Sequence, residues 1–162
     1  MGDLALLAAE LGAALKTRGL MLTLAESCTG GLVSATITEI SGSSAWFERG
    51  FVTYSNAAKM EMLDVSAETL EKFGAVSEET ACEMALGALK HSHANVAISI
   101  TGIAGPNGGT QEKPVGTVCF AWAGLSFPLT STSKKLSGNR QQIRHLSVVT
   151  AFSELLKLLA AN

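Results

Sequence analysis

Apolar positions along this 162-residue chain recur with two different periods, and the switches between them outline its elements. Leu4, Leu7, Leu11 and Leu15 fall on one helical face, with Asp3 as a cap and Gly19 as a stop. They predict a helix from Asp3 to about Arg18. Leu20 to Ala25 is a short apolar run of the buried-strand kind, and Thr29 to Ile40 reads as helical, ended by Gly42. The β-branched and aromatic stretch Gly50 to Ser55 predicts a second strand. Two short helices follow, Ala57 to Leu63 and Ala67 to Phe73. Ser77 caps the next helix, which has Glu78 and Glu79 in its first turn and runs to about His91. Val96 to Thr101 and Val115 to Ala123 are expected as strands three and four. Phe127 to Leu136 is expected as a fifth strand, joined to the fourth by a hairpin through Ala123-Gly124. A last helix, from about Asn139 to Ala160, carries Ile143, Leu146, Phe152, Leu155, Leu156 and Leu159.

Strands alternating with helices predict an α/β layered fold, and the late hairpin makes the sheet mixed rather than wholly parallel. No repeat or linker interrupts the pattern, so residues 1–162 read as one domain. At 47% hydrophobic and 16% charged residues the chain is not disordered, a state that needs low hydrophobicity and high net charge. A formal charge of −2 gives no basic field for a nucleic-acid backbone. The apolar runs are shorter than the ~20 residues of a membrane span, and the N-terminus lacks the basic region of a secretory signal. Cys28, Cys82 and Cys119 are an odd, widely spaced set with no CxxC pair, as expected of a protein in a reducing cytoplasm.

In sheets of this kind ligands sit beyond the carboxyl ends of the strands. Three loops there have unusual composition. Ala25-Glu26-Ser27-Cys28-Thr29-Gly30-Gly31 follows strand one and holds a hydroxyl at a strand-to-helix turn, with the next amides as candidate donors to an anion or oxyanion. The same residues also read as a Ser/Thr cap with glycines for close packing. Tyr54-Ser55-Asn56-Ala57-Ala58-Lys59 follows strand two. Lys59 is a candidate general base if burial lowers its pKa, and otherwise a solvated helix-surface lysine. Thr101-Gly102-Ile103-Ala104-Gly105-Pro106-Asn107-Gly108-Gly109 follows strand three and permits close backbone approach to a ligand, though it matches neither a Walker loop nor GxGxxG. Cys28 reads either as a second nucleophile or as an inert buried thiol. Lys90-His91-Ser92-His93 reads as cationic capping of a helix end rather than a metal site. None of the three histidines stands in a strand-end glycine loop, so a Ser27 nucleophile would take lysine or tyrosine as its base.

Taken together with Gly74-Ala75-Val76-Ser77-Glu78 and Lys113-Pro114-Val115-Gly116-Thr117-Val118, these loops resemble the CinA C-terminal domain family, over about residues 3 to 160. The resemblance implies a three-layer α/β/α sandwich on a mixed, mostly parallel five-stranded sheet. It also implies hydrolysis of the carboxamide of nicotinamide mononucleotide, giving nicotinic acid mononucleotide and ammonia in pyridine-nucleotide salvage. Homo-oligomers are expected, with a small-molecule substrate, no metal and no cofactor. Carried onto this chain, Ser27 is the nucleophile, Lys59 its base and Tyr54 an assistant. Thr29, Gly30, Gly31, Asn56, Thr101, Gly102, Gly105 and Arg140 are expected in the substrate site. Where the family commonly has Gly-Asp-Arg, this chain has Gly138-Asn139-Arg140, and Arg140 and Arg144 remain to meet a phosphate. The alternatives are a non-catalytic nucleotide-binding or regulatory module, or an amidase for another small nucleotide amide.

Overall fold

The computed structural model describes residues 2–162. In chain order the elements are α1 (Gly2–Thr17), β1 (Leu22–Glu26), α2 (Leu32–Thr38), a 3-10 turn (Ser43–Ala45), β2 (Phe47–Val52), α3 (Asn56–Leu63), α4 (Ala67–Phe73), α5 (Glu78–Lys90), β3 (Val96–Gly102), β4 (Thr117–Gly124), β5 (Thr130–Lys135) and α6 (Arg140–Ala161). The strands form one sheet in the order β2-β1-β3-β4-β5. β2, β1 and β3 are parallel neighbours, and the β4–β5 hairpin is antiparallel throughout. This is the expected mixed α/β sheet, with β4 alone running against the other four strands.

Alternation along the strands sorts side chains by size. Leu22, Leu24, Ile98, Ile100, Phe120 and Trp122 face the layer that includes α1 and α6, where Leu11, Leu15, Phe152 and Leu155 complete the larger core. Trp122 stacks on Phe120 and donates its indole N–H to the Ala151 carbonyl at 3.0 Å. The opposite face shows Ala25, Ala97, Cys119, Ala121 and Ala123, against which α5 lays Ala81, Met84, Ala85 and Ala88. With so little side chain between them, α5 lies close to the sheet. It also lies close to α3, because a Cβ at Gly87 would overlap the main-chain carbonyl of Leu63.

Several boundaries differ from the sequence reading. Asp3 lies inside the first turn of α1 instead of capping it. Helix α2 starts at Leu32 rather than Thr29, because Gly30 and Gly31 hold positive φ angles of 56° and 104° and keep the preceding turn non-helical. Strand β2 begins at Phe47, ahead of the apolar run, with Glu48 and Arg49 inside it. As an edge strand it is partly solvated, and charge there is tolerated. The β4–β5 turn lies beyond Gly124, which is the last residue of β4, and Phe127 folds back as a buried plug. The capped starts of α4, α5 and α6 fall where the sequence places them. Ser77 accepts from the Thr80 amide, and Asn139 forms a reciprocal capping box with Gln142.

Candidate active site

Because β1, β2 and β3 run parallel, their carboxyl ends lie side by side, and the three unusual loops converge there. The ladder continues one residue past the strands. The Ser27 amide donates to the Ile100 carbonyl at 3.0 Å and the Thr53 amide to the Glu26 carbonyl at 2.8 Å. Ser27 is thereby fixed between the second and third loops. A cavity of about 250 Å3 opens at this point. Ser27, Cys28, Tyr54, Lys59, Thr101 and Arg140 line it, together with Gly102 and the small residues Ala75, Val76 and Ala104.

Lys59 reaches this cavity because helical side chains tilt back toward the helix start. Ser55 caps α3, and from the fourth helical residue the Lys59 chain runs back over the capped end. It is 1% exposed. Its Nζ lies 3.0 Å from Ser27 Oγ and donates to the carbonyls of Thr53 (2.9 Å) and Tyr54 (3.0 Å). Among the described residues no carboxylate lies within ion-pair distance of it. Burial without a counter-ion disfavours the ammonium form and lowers its pKa. The two carbonyls and the serine hydroxyl surround the nitrogen, and in its neutral form the amine can donate to both carbonyls and turn its lone pair to the serine. Burial has the opposite consequence for Cys28, whose thiol is pushed up to about 12 and stays protonated at neutral pH.

The turn after Ser27 is organised by Glu26, a carboxylate that is 1% exposed. Its Oε1 accepts from Thr29 Oγ1 (2.7 Å) and from the amides of Gly31 (3.1 Å) and Val33 (3.0 Å). Its Oε2 accepts from the Ser34 amide (2.9 Å) and hydroxyl (2.7 Å). The chain therefore fills the start of α2 with its own anion. The Gly30 amide is also engaged, with the Ser27 carbonyl at 3.0 Å. Gly30 and Gly31 are thus not the expected oxyanion donors. In this turn the Thr29 amide meets no protein acceptor among the described residues, and the Cys28 amide, directly after the serine, faces only its own thiol.

Of the residues expected in the substrate site, Thr101, Gly102 and Arg140 line the cavity with Ser27, Lys59 and Tyr54. Thr29, Gly30, Gly31, Asn56 and Gly105 do not. Thr29 is fully buried against Glu26, and Asn56 is exposed at the start of α3. Gly105 contributes its carbonyl, which accepts from Arg140 Nη1 at 2.7 Å and aims that guanidinium. Asn139 caps α6 through its amide oxygen, so capping needs no carboxylate there. Tyr54 is 64% exposed at the rim, and its contact with Lys59 runs through its main-chain carbonyl. The sequence reading missed Glu26. Its signal was a lone acid ending an apolar strand ahead of Thr-Gly-Gly.

The family model of the CinA C-terminal domain matches residues 4–159. A nicotinamide-nucleotide amidohydrolase PncC from Enterobacter agglomerans is 55% identical over 155 residues, 93% of this chain and 94% of that protein. The protein of the same name from Escherichia coli K12 is 51% identical, covering 99% of this chain and 97% of its own. The crystal structure of the competence/damage inducible protein CihA from Agrobacterium tumefaciens superposes with a TM-score of 0.94. Its sequence identity is 48%, over 98% of this chain and 96% of that one.

Proposed function

We propose, from the premise that the chain belongs to the CinA C-terminal domain family, that it hydrolyses the carboxamide of nicotinamide mononucleotide to nicotinic acid mononucleotide and ammonia. The observation that carries this reading is the desolvated Lys59 amine 3.0 Å from Ser27 Oγ, in a cavity large enough for a small ligand. Neutral Lys59 takes the Ser27 proton as the oxygen attacks the carboxamide carbon. The amides of Cys28 and Thr29 hold the oxyanion of the tetrahedral intermediate. Lys59 then returns the proton to the nitrogen, the C–N bond breaks and ammonia leaves. Water, deprotonated by the same amine, cleaves the acyl-serine ester. Arg140 keeps N–H groups beyond the one given to Gly105 and uses them on the phosphate, and Thr101, Gly102 and Tyr54 shape the walls around the nucleoside. The partner is a small molecule, with no nucleic acid or membrane. The chain works as a homo-oligomer in the cytoplasm, a setting supported by three free thiols.

The direct test mixes the purified protein with nicotinamide mononucleotide and measures ammonia alongside a thermal melt. Ammonia release supports the hydrolase, and stabilisation without ammonia would favour a nucleotide-binding module instead. The base must be unprotonated, so kcat/KM is expected to fall as pH drops through the Lys59 pKa, with the midpoint of that acidic limb below the 10.5 of an ordinary lysine amine. A pH–rate profile reads this directly, and Lys59→Arg, which stays protonated, removes the activity along with the limb. Cys28→Ala is expected to keep kcat within about threefold, because a thiol held near 12 is not a nucleophile at neutral pH. Iodoacetamide labelling should likewise leave turnover intact.

A further inference from the structure

Arg140 and Arg144 stand four residues apart on α6, and so on the same helical face, yet the structure gives them different surroundings. Arg140 lines the cavity and Arg144 does not. Arg144 instead turns toward the loop after Ser27. There its Nε donates to the Cys28 carbonyl at 3.3 Å and its Nη2 to the Thr29 carbonyl at 2.9 Å. A planar guanidinium can hold two successive carbonyls at once, which a lysine ammonium cannot do with the same fixed geometry.

The consequence follows from the peptide unit. In a trans peptide the C=O and the following N–H point in opposite directions. Holding the Cys28 carbonyl toward α6 therefore fixes the Thr29 N–H away from α6. The Thr29 carbonyl, held in the same way, also accepts from the Leu32 amide at 2.9 Å, which ties the turn to the start of α2. Glu26 anchors the turn from the side of α2 and Arg144 from the side of α6.

We propose that Arg144 is a positioning residue for the reaction. It sets the direction of the Thr29 amide, the second after the nucleophile, and makes no contact with the substrate phosphate, which is left to Arg140. This rests on the Ser27 reading given above. A guanidinium facing carbonyls across a helix–loop contact acts on the acylation step, so its loss lowers kcat and leaves substrate affinity nearly unchanged.

The test uses a fluorophosphonate with a short uncharged alkyl tail, which reacts with an activated serine and carries no nucleotide phosphate. The site of labelling is read by mass spectrometry and compared with steady-state kinetics on nicotinamide mononucleotide. For Arg144→Gln, labelling of Ser27 and kcat are both expected to fall by about 10- to 100-fold, with KM within about twofold of the parent protein. Arg144→Lys retains one donor and is expected to recover only part of the loss. It also serves as the variant to measure if Arg144→Gln does not fold, as judged by its thermal melt. Arg140→Gln is expected to appear chiefly in KM. If Arg144→Gln labels at the parent rate while KM rises tenfold or more, Arg144 is a phosphate ligand and the proposal is overturned. If the parent protein itself is not labelled at Ser27, the nucleophile assignment fails, and the positioning role fails with it.

Discussion

Ser27→Ala is expected to lower kcat on nicotinamide mononucleotide by about ten-thousand-fold or more, with a melting temperature close to that of the parent protein. The two effects separate because of how the hydroxyl is held. Ser27 Oγ meets the Lys59 amine, while the backbone of Ser27 is fixed independently through the Ile100 carbonyl. Removing the oxygen deletes the nucleophile and leaves Lys59 with its two carbonyl acceptors. Lys59→Met is expected to be about as severe. Methionine keeps most of the volume of a side chain that ranks among the largest fully buried ones, so activity is lost without opening a cavity. The double variant should be no worse than either single one, since a nucleophile and its base act as one unit. Ammonia release and a circular dichroism melt on all three variants check this. An additive loss in the double variant would mean that Lys59 serves some step other than the activation of Ser27.

Glu26→Ala is expected to be the most destabilising single change near the site, at about 3–5 kcal/mol. It strands five donors that now converge on one carboxylate: three amides and two hydroxyls in a turn with little access to water. For a domain of this size the melting temperature should drop on the order of 10 °C. Glu26→Gln should cost less, about 1–3 kcal/mol. Its carbonyl oxygen can still accept from Thr29, Gly31 and Val33, but its NH2 then faces the Ser34 amide, donor against donor. Urea denaturation with unchanged m-values reads both. Equal losses in the two variants would mean that the charge and the acceptor facing Ser34, which both substitutions remove, set the cost at this position.

The sequence announced those parts of the fold that local chemistry decides. Ser77 and Asn139 mark helix starts because a short polar side chain before an amphipathic run has one favoured use, and α5 and α6 begin beside them. The runs through β1 and β3 were legible because central strands are buried on both faces and read as continuous apolar stretches. The edges were harder. Strand β5, Thr-Ser-Thr-Ser-Lys-Lys, has no apolar residue, and the charges at the front of β2 disguise it. Both are held by hydrogen bonds to a neighbour that no local pattern reveals. The same divide runs through the candidate site. Ser27 and Thr101 stand at strand ends and Lys59 in the first turn of the helix after β2, so they could be picked out from composition and spacing. The work of Glu26 and Arg144 was harder to read, because all the partners of Arg144 in that turn and three of the five donors to Glu26 are main-chain groups.

The thin, alanine-faced side of the sheet carries a liability that the thick side lacks. Lys59 is mounted on α3, and the end of α3 rests against Gly87 of α5 with no room for even a methyl group. The gap between amine and hydroxyl is thus calibrated from the neighbouring helix, by a residue outside the cavity. Bulk added anywhere along that stack would be transmitted as a shift of the base, so drift in an apparently inert interior layer could silence this protein while leaving every residue of its cavity intact.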